Sequence, residues 1–360
     1  MSERPLGFAL VGCGRIAKRH AELLSQSQIS GARLVACCDI DEDRASLFGT
    51  RYNVPTFIDM HDMMKEKNTE IDVVVILTES GKHASHTLQL APYKKHIVVE
   101  KPMALTLKDA DTMIQRCDEH SIKLFVVKQN RYNYPVQKLR QALDEGRLGK
   151  ITMGTVRVRW SRDQNYYDLA PWRGTWAMDG GVFANQASHH IDLLEWMLGD
   201  PESVFAKSRQ ALVDIETEDT GVALIKFRSG ALGVVEATTA TRPKDLEGSL
   251  SVLGEKGSVE IGGFAVNEMR TWNLVDSTTE DDDVVDKYRQ NPPNVYGFGH
   301  RAYLQHVVQA IRNNSPALVD GLEGRKSLEL ITAIYESIET GQEISLRFNP
   351  KKCRLGLPKK

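Results

Sequence analysis

The chain has 360 residues, with 46 Lys and Arg against 48 Asp and Glu and a formal net charge of −2. That length gives room for two domains, and the near-even charge excludes a broad nucleic-acid surface and a polybasic membrane patch. No apolar run approaches the roughly 18 residues that would span a bilayer, and the start of the chain lacks the features of a secretory leader. The 5 cysteines (Cys13, Cys37, Cys38, Cys117 and Cys353) form neither a CxxC pair nor a zinc-ligand spacing. A reduced cytoplasmic protein with no disulfide framework and no metal site is therefore expected.

Taken in chain order, apolar runs alternate with helical patterns. Strand-like runs are Gly7–Gly12, Leu34–Asp39, Ile71–Thr78, His96–Glu100 and Lys123–Lys128. Between them, Ile16–Ser25, Asp43–Tyr52, His83–Ala91 and Leu107–His120 carry helical spacing. The continuous β-branched run in Ile71–Thr78 suits a strand buried on both faces, and the alternation predicts a doubly wound parallel sheet. After about Gly149 the rhythm becomes alternating, in Ile151–Trp160, Val204–Leu212, Thr220–Phe227, Leu232–Ala240, Gly248–Gly254 and Gly257–Ile261. One helix, about Gln186–Leu198, interrupts them, the acidic Thr278–Asp286 reads as a solvated loop, and helices follow at Gly299–Arg312 and Leu322–Glu339. The expected fold is α/β: a Rossmann domain over residues 1–125, an α+β domain with a mostly antiparallel open sheet over 126–345, and a tail over 346–360.

Gly12-Cys13-Gly14-Arg15-Ile16-Ala17 fits G-x-G-x-x-A between a strand and a helix. Gly12 permits the tight turn, Gly14 admits a pyrophosphate, Ala17 allows close helix–strand packing, and the first N–H groups from Arg15 and Ile16 meet the anion. Asp39 follows Ala17 by 22 residues at the end of the next strand, where an acid binds ribose hydroxyls and repels a 2′-phosphate. NAD is thus the expected cofactor, with Asp41 the alternative ribose acid. Thr78 falls at a strand's carboxyl end, where open α/β sheets bind ligands, and Ser80 follows it. His83 reads either as a cofactor contact or as a structural hydrogen-bonding residue.

Glu100-Lys101-Pro102 ends another strand beside the expected nicotinamide pocket. Oxidising a secondary alcohol requires an acceptor for the hydroxyl proton and positive charge near the oxygen, and burial makes a lysine suitable. The second constellation runs from Gly180-Gly181 to Asp192. On a helix, Asn185 and His189 share a face, and His189 and Asp192 come within reach of each other. His190 points elsewhere.

Together these motifs resemble the Gfo/Idh/MocA family of sugar and cyclitol oxidoreductases over nearly the whole chain. The resemblance implies that Lys101 and His189 act at the reacting carbinol, with either as base, while Glu100 and Gln129 join the cofactor site. Many members carry aspartate where this chain has Asn185, which weakens an Asp–His relay. A narrower resemblance, in Lys128–Asn133, Trp172–Trp176, Asn185-Gln186 and Ala237–Asp245, is to the branch that oxidises UDP-N-acetylglucosaminuronic acid at C3. It implies a UDP-linked amino sugar acid as substrate, a place in surface-polysaccharide (lipopolysaccharide) precursor synthesis, and cofactor recycling by 2-oxoglutarate in some members. A homo-oligomer, dimer or tetramer, is expected because a large open sheet face is otherwise a liability. Such a substrate calls for cations, for which Lys128, Arg131, Arg159, Arg173, Arg242 and Lys244 are candidates. Gln186 joins Asn185 at the substrate, and Tyr166 and Trp172 either stack on it or belong to the core. Another sugar or inositol dehydrogenase, a 3-ketoreductase, and a non-catalytic dinucleotide sensor are the competing readings.

Overall fold

The computed structural model describes residues 4–289 and 298–346; Cys353 and residues 347–360 of the expected tail lie outside them. Six strands come first: β1 (Leu6–Val11), β2 (Ala32–Cys38), β3 (Thr56–Phe57), β4 (Val73–Ile76), β5 (His96–Val99) and β6 (Leu124–Val126). All pair in parallel, in the order β3-β2-β1-β4-β5-β6. The crossovers carry α1 (Arg15–Ser25), α2 (Glu42–Tyr52), α3 (Met60–Glu66), α4 (His83–Leu90) and α5 (Leu107–Glu119). β4 explains its own composition: Val74 and Ile76 enter one apolar core and Val73 and Val75 the other, so every position is buried. Strand order reverses between β1 and β4, which leaves a crevice at the carboxyl ends. β3 and α3 are too short to show a period, and the sequence reading missed both.

The second half contains α6 (Tyr134–Asp144), β7 (Ile151–Arg159), α7 (Gln164–Asp168), α8 (Ser188–Leu198), β8 (Pro201–Arg209), β9 (Thr220–Phe227) and β10 (Leu232–Thr238). It continues with β11 (Glu247–Gly254), β12 (Gly257–Gly262), β13 (Glu268–Leu274), α9 (Val284–Lys287), α10 (Gly299–Arg312), α11 (Gly321–Thr340) and β14 (Ile344–Ser345). Its sheet runs β13-β12-β11-β7-β10-β9-β8-β14 and is antiparallel except where β7 and β10 pair in parallel. The architecture is the expected α/β one, a doubly wound parallel sheet joined to a mostly antiparallel one.

Inward residues of β7, β10 and β11 (Val156, Val158, Val235, Leu250) meet Leu193 and Leu194 of α8 and Ile331 of α11 in one core. Because α8 is buried almost all round, its apolar residues show no single stripe. α10 sends Tyr303, Leu304 and Val307 into the first sheet's core beside Phe8 and Leu10. Just before α11, the Val126 N–H donates to Val319 O at 3.2 Å, so the returning chain covers the edge of β6.

The acidic segment differs from the expected solvated loop. Asp281 is buried and accepts from Arg147 at 2.6 Å and from Trp272 Nε1 at 2.8 Å, so one acid of the run is an internal counter-ion. Among the described residues, no helix is long and apolar enough to cross a membrane.

Candidate active site

A cleft of about 680 Å³ opens beyond the carboxyl ends of the first sheet and runs beneath residues 160–173 of the second half. β1 ends into Gly12, whose φ is +98° and where an added Cβ would stand 2.9 Å from the Leu77 carbonyl. Both conditions require glycine. At Gly14 an added Cβ meets nothing within 4 Å, so the backbone there borders open space. α1 begins at Arg15 with no side-chain cap and no acid in its first turn, which leaves its leading N–H groups for an anion.

Asp39 is buried, with Oδ2 accepting the Cys13 N–H at 2.8 Å and Oδ1 the Asp41 N–H at 3.0 Å. A carboxylate has about four acceptor sites, so Asp39 keeps capacity for hydroxyls while the glycine turn holds it in place. Asp41 caps α2 through the Arg44 N–H. Glycine turn, open space, uncapped helix end and buried acid together fit a dinucleotide.

Deeper in the cleft, Lys101 Nζ donates to the Asn185 carbonyl at 2.8 Å and to Asn185 Oδ1 at 3.1 Å. Burial pushes its pKa down; Glu100 and Asp179 oppose that, while Lys128 and Arg173 add to it. His189 Nε2 accepts from Gln129 Nε2 at 3.0 Å. Burial, then Lys101 and Lys128, hold the His189 imidazole well below its ordinary pKa, so it is neutral. Its Nδ1 is buried and has no hydrogen-bond partner among the described residues. Burial pushes the Glu100 carboxyl up, but hydrogen bonds with His20 and His300 outweigh it and keep Glu100 ionised.

Asn185 departs from the expected geometry. α8 starts at Ser188, and Asn185 sits in the turn before it, so Asn185 and His189 do not share a helical face. They still line one cleft, as do Gly12, Gly14, Arg15, Ile16, Asp39, Thr78, His83, Glu100, Lys101, Gln129, Tyr166, Trp172, Arg173 and Gln186. His83 has both ring nitrogens engaged, with Pro102 O at 2.7 Å and Thr78 O at 3.0 Å, which ties the loop after β5 to the end of β4. Asp192 stands near enough to His189 for its charge to be felt there, but among the described residues no hydrogen bond joins the two. Asp192 instead binds Arg131 bidentately, at 2.7 and 2.9 Å, and Lys128 at 3.5 Å.

That pairing also removes Arg131 and Lys128 from the candidate substrate cations, since both are buried behind the cleft. Arg159 is tied to Glu236 and Glu247 across the second sheet. Arg242 donates to the carbonyls of Thr239, Thr241 and Arg162, and Lys244 is exposed on the same loop; neither borders the cleft. Sequence reasoning missed Arg162 and Trp160, which do line it. The Arg173 guanidinium lies 4.5 Å from the Tyr166 ring centre and 4.7 Å from that of Trp172, and Arg162 lies 5.4 Å from Trp160. Arg173 Nε is buried without a partner among the described residues. The signal for Arg162 was its place just past an alternating strand, level with the carboxyl ends that feed the cleft.

Comparison with known proteins agrees with this geometry. Residues 6–128 match the NAD-binding Rossmann fold of the GFO_IDH_MocA oxidoreductase family, and residues 140–346 match that family's C-terminal alpha/beta domain. The WlbA dehydrogenase of Bordetella pertussis, solved with NADH and UDP-GlcNAcA, is 42% identical with a TM-score of 0.92, covering 97% of this chain and 100% of that one. Its counterpart from Chromobacterium violaceum, solved with the same two ligands, is also 42% identical, with a TM-score of 0.89 over 97% of this chain and 98% of that one. The myo-inositol 2-dehydrogenase of Thermotoga maritima is 29% identical over 346 residues, which is 94% of this chain and 98% of that protein. Matched along both halves, the chain is an NAD-dependent oxidoreductase of the Gfo/Idh/MocA family.

Proposed function

We propose that the protein oxidises the C3 hydroxyl of UDP-N-acetylglucosaminuronic acid to the 3-keto sugar nucleotide. The observation that carries this reading is one continuous cleft lined both by Lys101 and His189 and by Arg162 and Arg173 among aromatic rings. Arginine forks match the oxygens of a diphosphate and a carboxylate, and an inositol has neither. The Arg173 Nε, which has no partner among the described residues, supports an anionic ligand there. The WlbA proteins that share 42% of their residues with this chain were solved with UDP-GlcNAcA, whereas the inositol dehydrogenase relative shares 29%.

In this reading, NAD would be held by Gly12 and Gly14 at its pyrophosphate and by Asp39 at its adenosine ribose, and would supply the acceptor for the C3 hydride beside Lys101 and His189. Lys101 reacts as the neutral amine: burial favours that form, and its nitrogen takes the hydroxyl proton as the carbonyl forms. The neutral His189 holds the same oxygen through its Nδ1–H. The Asn185 carbonyl and side chain aim the Lys101 nitrogen.

The test is NADH formation with UDP-N-acetylglucosaminuronic acid, UDP-N-acetylglucosamine and myo-inositol as separate substrates. The uronic acid alone is expected to give turnover. Turnover with inositol and none with either sugar nucleotide would replace this reading with that of an inositol dehydrogenase.

A further inference from the structure

We infer that Asp179 is a positioning residue that sets the charge and aim of Lys101 through the side chain of Asn185. The inference rests on the reading of Lys101 as proton acceptor and extends it to a carboxylate outside the recognised motifs. Asp179 is 1% exposed, in the loop between Gly174 and Gly180. One of its oxygens accepts the Gly174 N–H at 3.0 Å, and the other accepts from Asn185 Nδ2. Asn185 Oδ1 in turn accepts from Lys101 Nζ at 3.1 Å.

Chemistry alone fixes this amide's orientation. A carboxylate presents only acceptors and an ammonium only donors, so Nδ2 must face Asp179 and Oδ1 must face Lys101. Asn185 is therefore an adaptor between the Lys101 nitrogen and a buried carboxyl group, which burial pushes up in pKa while the Gly174 N–H, Lys101 and Asn185 itself pull it back down. An aspartate at position 185 would put two carboxylates side by side, which favours protonation of one of them. The negative charge that Asn185 lacks is supplied one residue further from the amine.

The ionisable groups facing Lys101 are Glu100 at the end of β5, Asp179 and Arg173 in the loop, Lys128 after β6 and His189 on α8. Glu100 is itself held by His20 of α1 and His300 of α10. Of these, only Asp179 reaches Lys101 through a hydrogen-bonded side chain whose orientation it dictates. Removing its charge withdraws an anion that favours the ammonium, so Lys101 should lose its proton at lower pH.

The experiment uses the NAD-loaded protein and two variants, Asp179→Asn and the smaller Asp179→Ser, each first checked for NAD binding by fluorescence. Labelling of Lys101 by acetic anhydride, read by peptide mass spectrometry across pH, is expected to show a midpoint about one pH unit lower in either variant. The acid limb of kcat for sugar oxidation should move with it, and kcat should fall on the order of tenfold through lost aim. Adding Asp179→Asn to Asn185→Ala should cost no further rate, because both act on one chain of bonds. An unmoved labelling midpoint, or additive losses in the double variant, overturns the inference. A lowered midpoint without turnover of any sugar nucleotide would sink the substrate reading and leave this one standing.

Discussion

Asp39 shows how one side chain can serve both the turn and the ligand. Its carboxylate accepts two backbone N–H groups, one of them from Cys13 inside the glycine turn, so it shapes the cradle as well as facing the cleft. Asp39→Ala is therefore expected to weaken NAD binding about tenfold or more, the scale of a lost charged hydrogen bond, and to narrow the preference for NAD over NADP. Fluorescence titration with both nucleotides checks this; an unchanged ratio would assign the ribose to Asp41. The arginines teach a different lesson at the same scale. Arg131 sits in a motif and is spent on Asp192 and Glu323, whereas Arg162 sits in no motif and reaches the cleft. Residue type alone could not separate them, because a guanidinium suits a buried carboxylate and a bound phosphate equally well.

Among elements, the turn from Gly180 to Ala187 decides where Asn185 lies. Glu218 and Tyr335 hold it from behind. Glu218 accepts the Phe183 N–H at 3.0 Å and the Tyr335 hydroxyl at 2.9 Å, and that hydroxyl also accepts the Gly181 N–H at 3.1 Å. Burial pushes the Glu218 pKa up to about 7 from 4.5, so the folded state holds this proton more tightly than the unfolded chain does. The stability it contributes is full below about pH 4.5 and is lost as pH rises through about 7. Glu218→Gln keeps one acceptor oxygen and removes the charge. It should match the parent's stability near pH 4.5 and exceed it at alkaline pH, by roughly 3 kcal/mol at most. Urea unfolding at both pH values is the measurement, and a less stable variant at alkaline pH would show that the charge is not the cost. The sequence signalled this turn only as a double glycine; its supports come from β9's approach and α11, far away along the chain.

For the molecule as a whole, the eight-stranded sheet exposes alternate residues of β8 and β9 on one face. Phe205 of β8, Val222 and Leu224 of β9 and Leu232 of β10 are exposed on neighbouring strands, with Phe205 directly opposite Leu224. We propose that this apolar patch pairs with its copy on a second chain, since an open face paired with itself closes as a symmetric dimer. Leu224→Glu is expected to shift the protein to a smaller species in sedimentation velocity without unfolding it. An unchanged mass distribution would place any interface elsewhere.

The glycine turn with its distant acid, Glu100-Lys101-Pro102, and the change from helix-alternating to strand-alternating rhythm were all legible in the amino-acid order. Each rests on backbone geometry or periodicity within a short stretch of chain. Three things emerged only from the folded molecule: which arginines face the cleft, the carboxylate standing behind Asn185, and the burial of Asp281. All three are pairings of charge between segments brought together by packing, and a partner's identity is not written in the local sequence around either member.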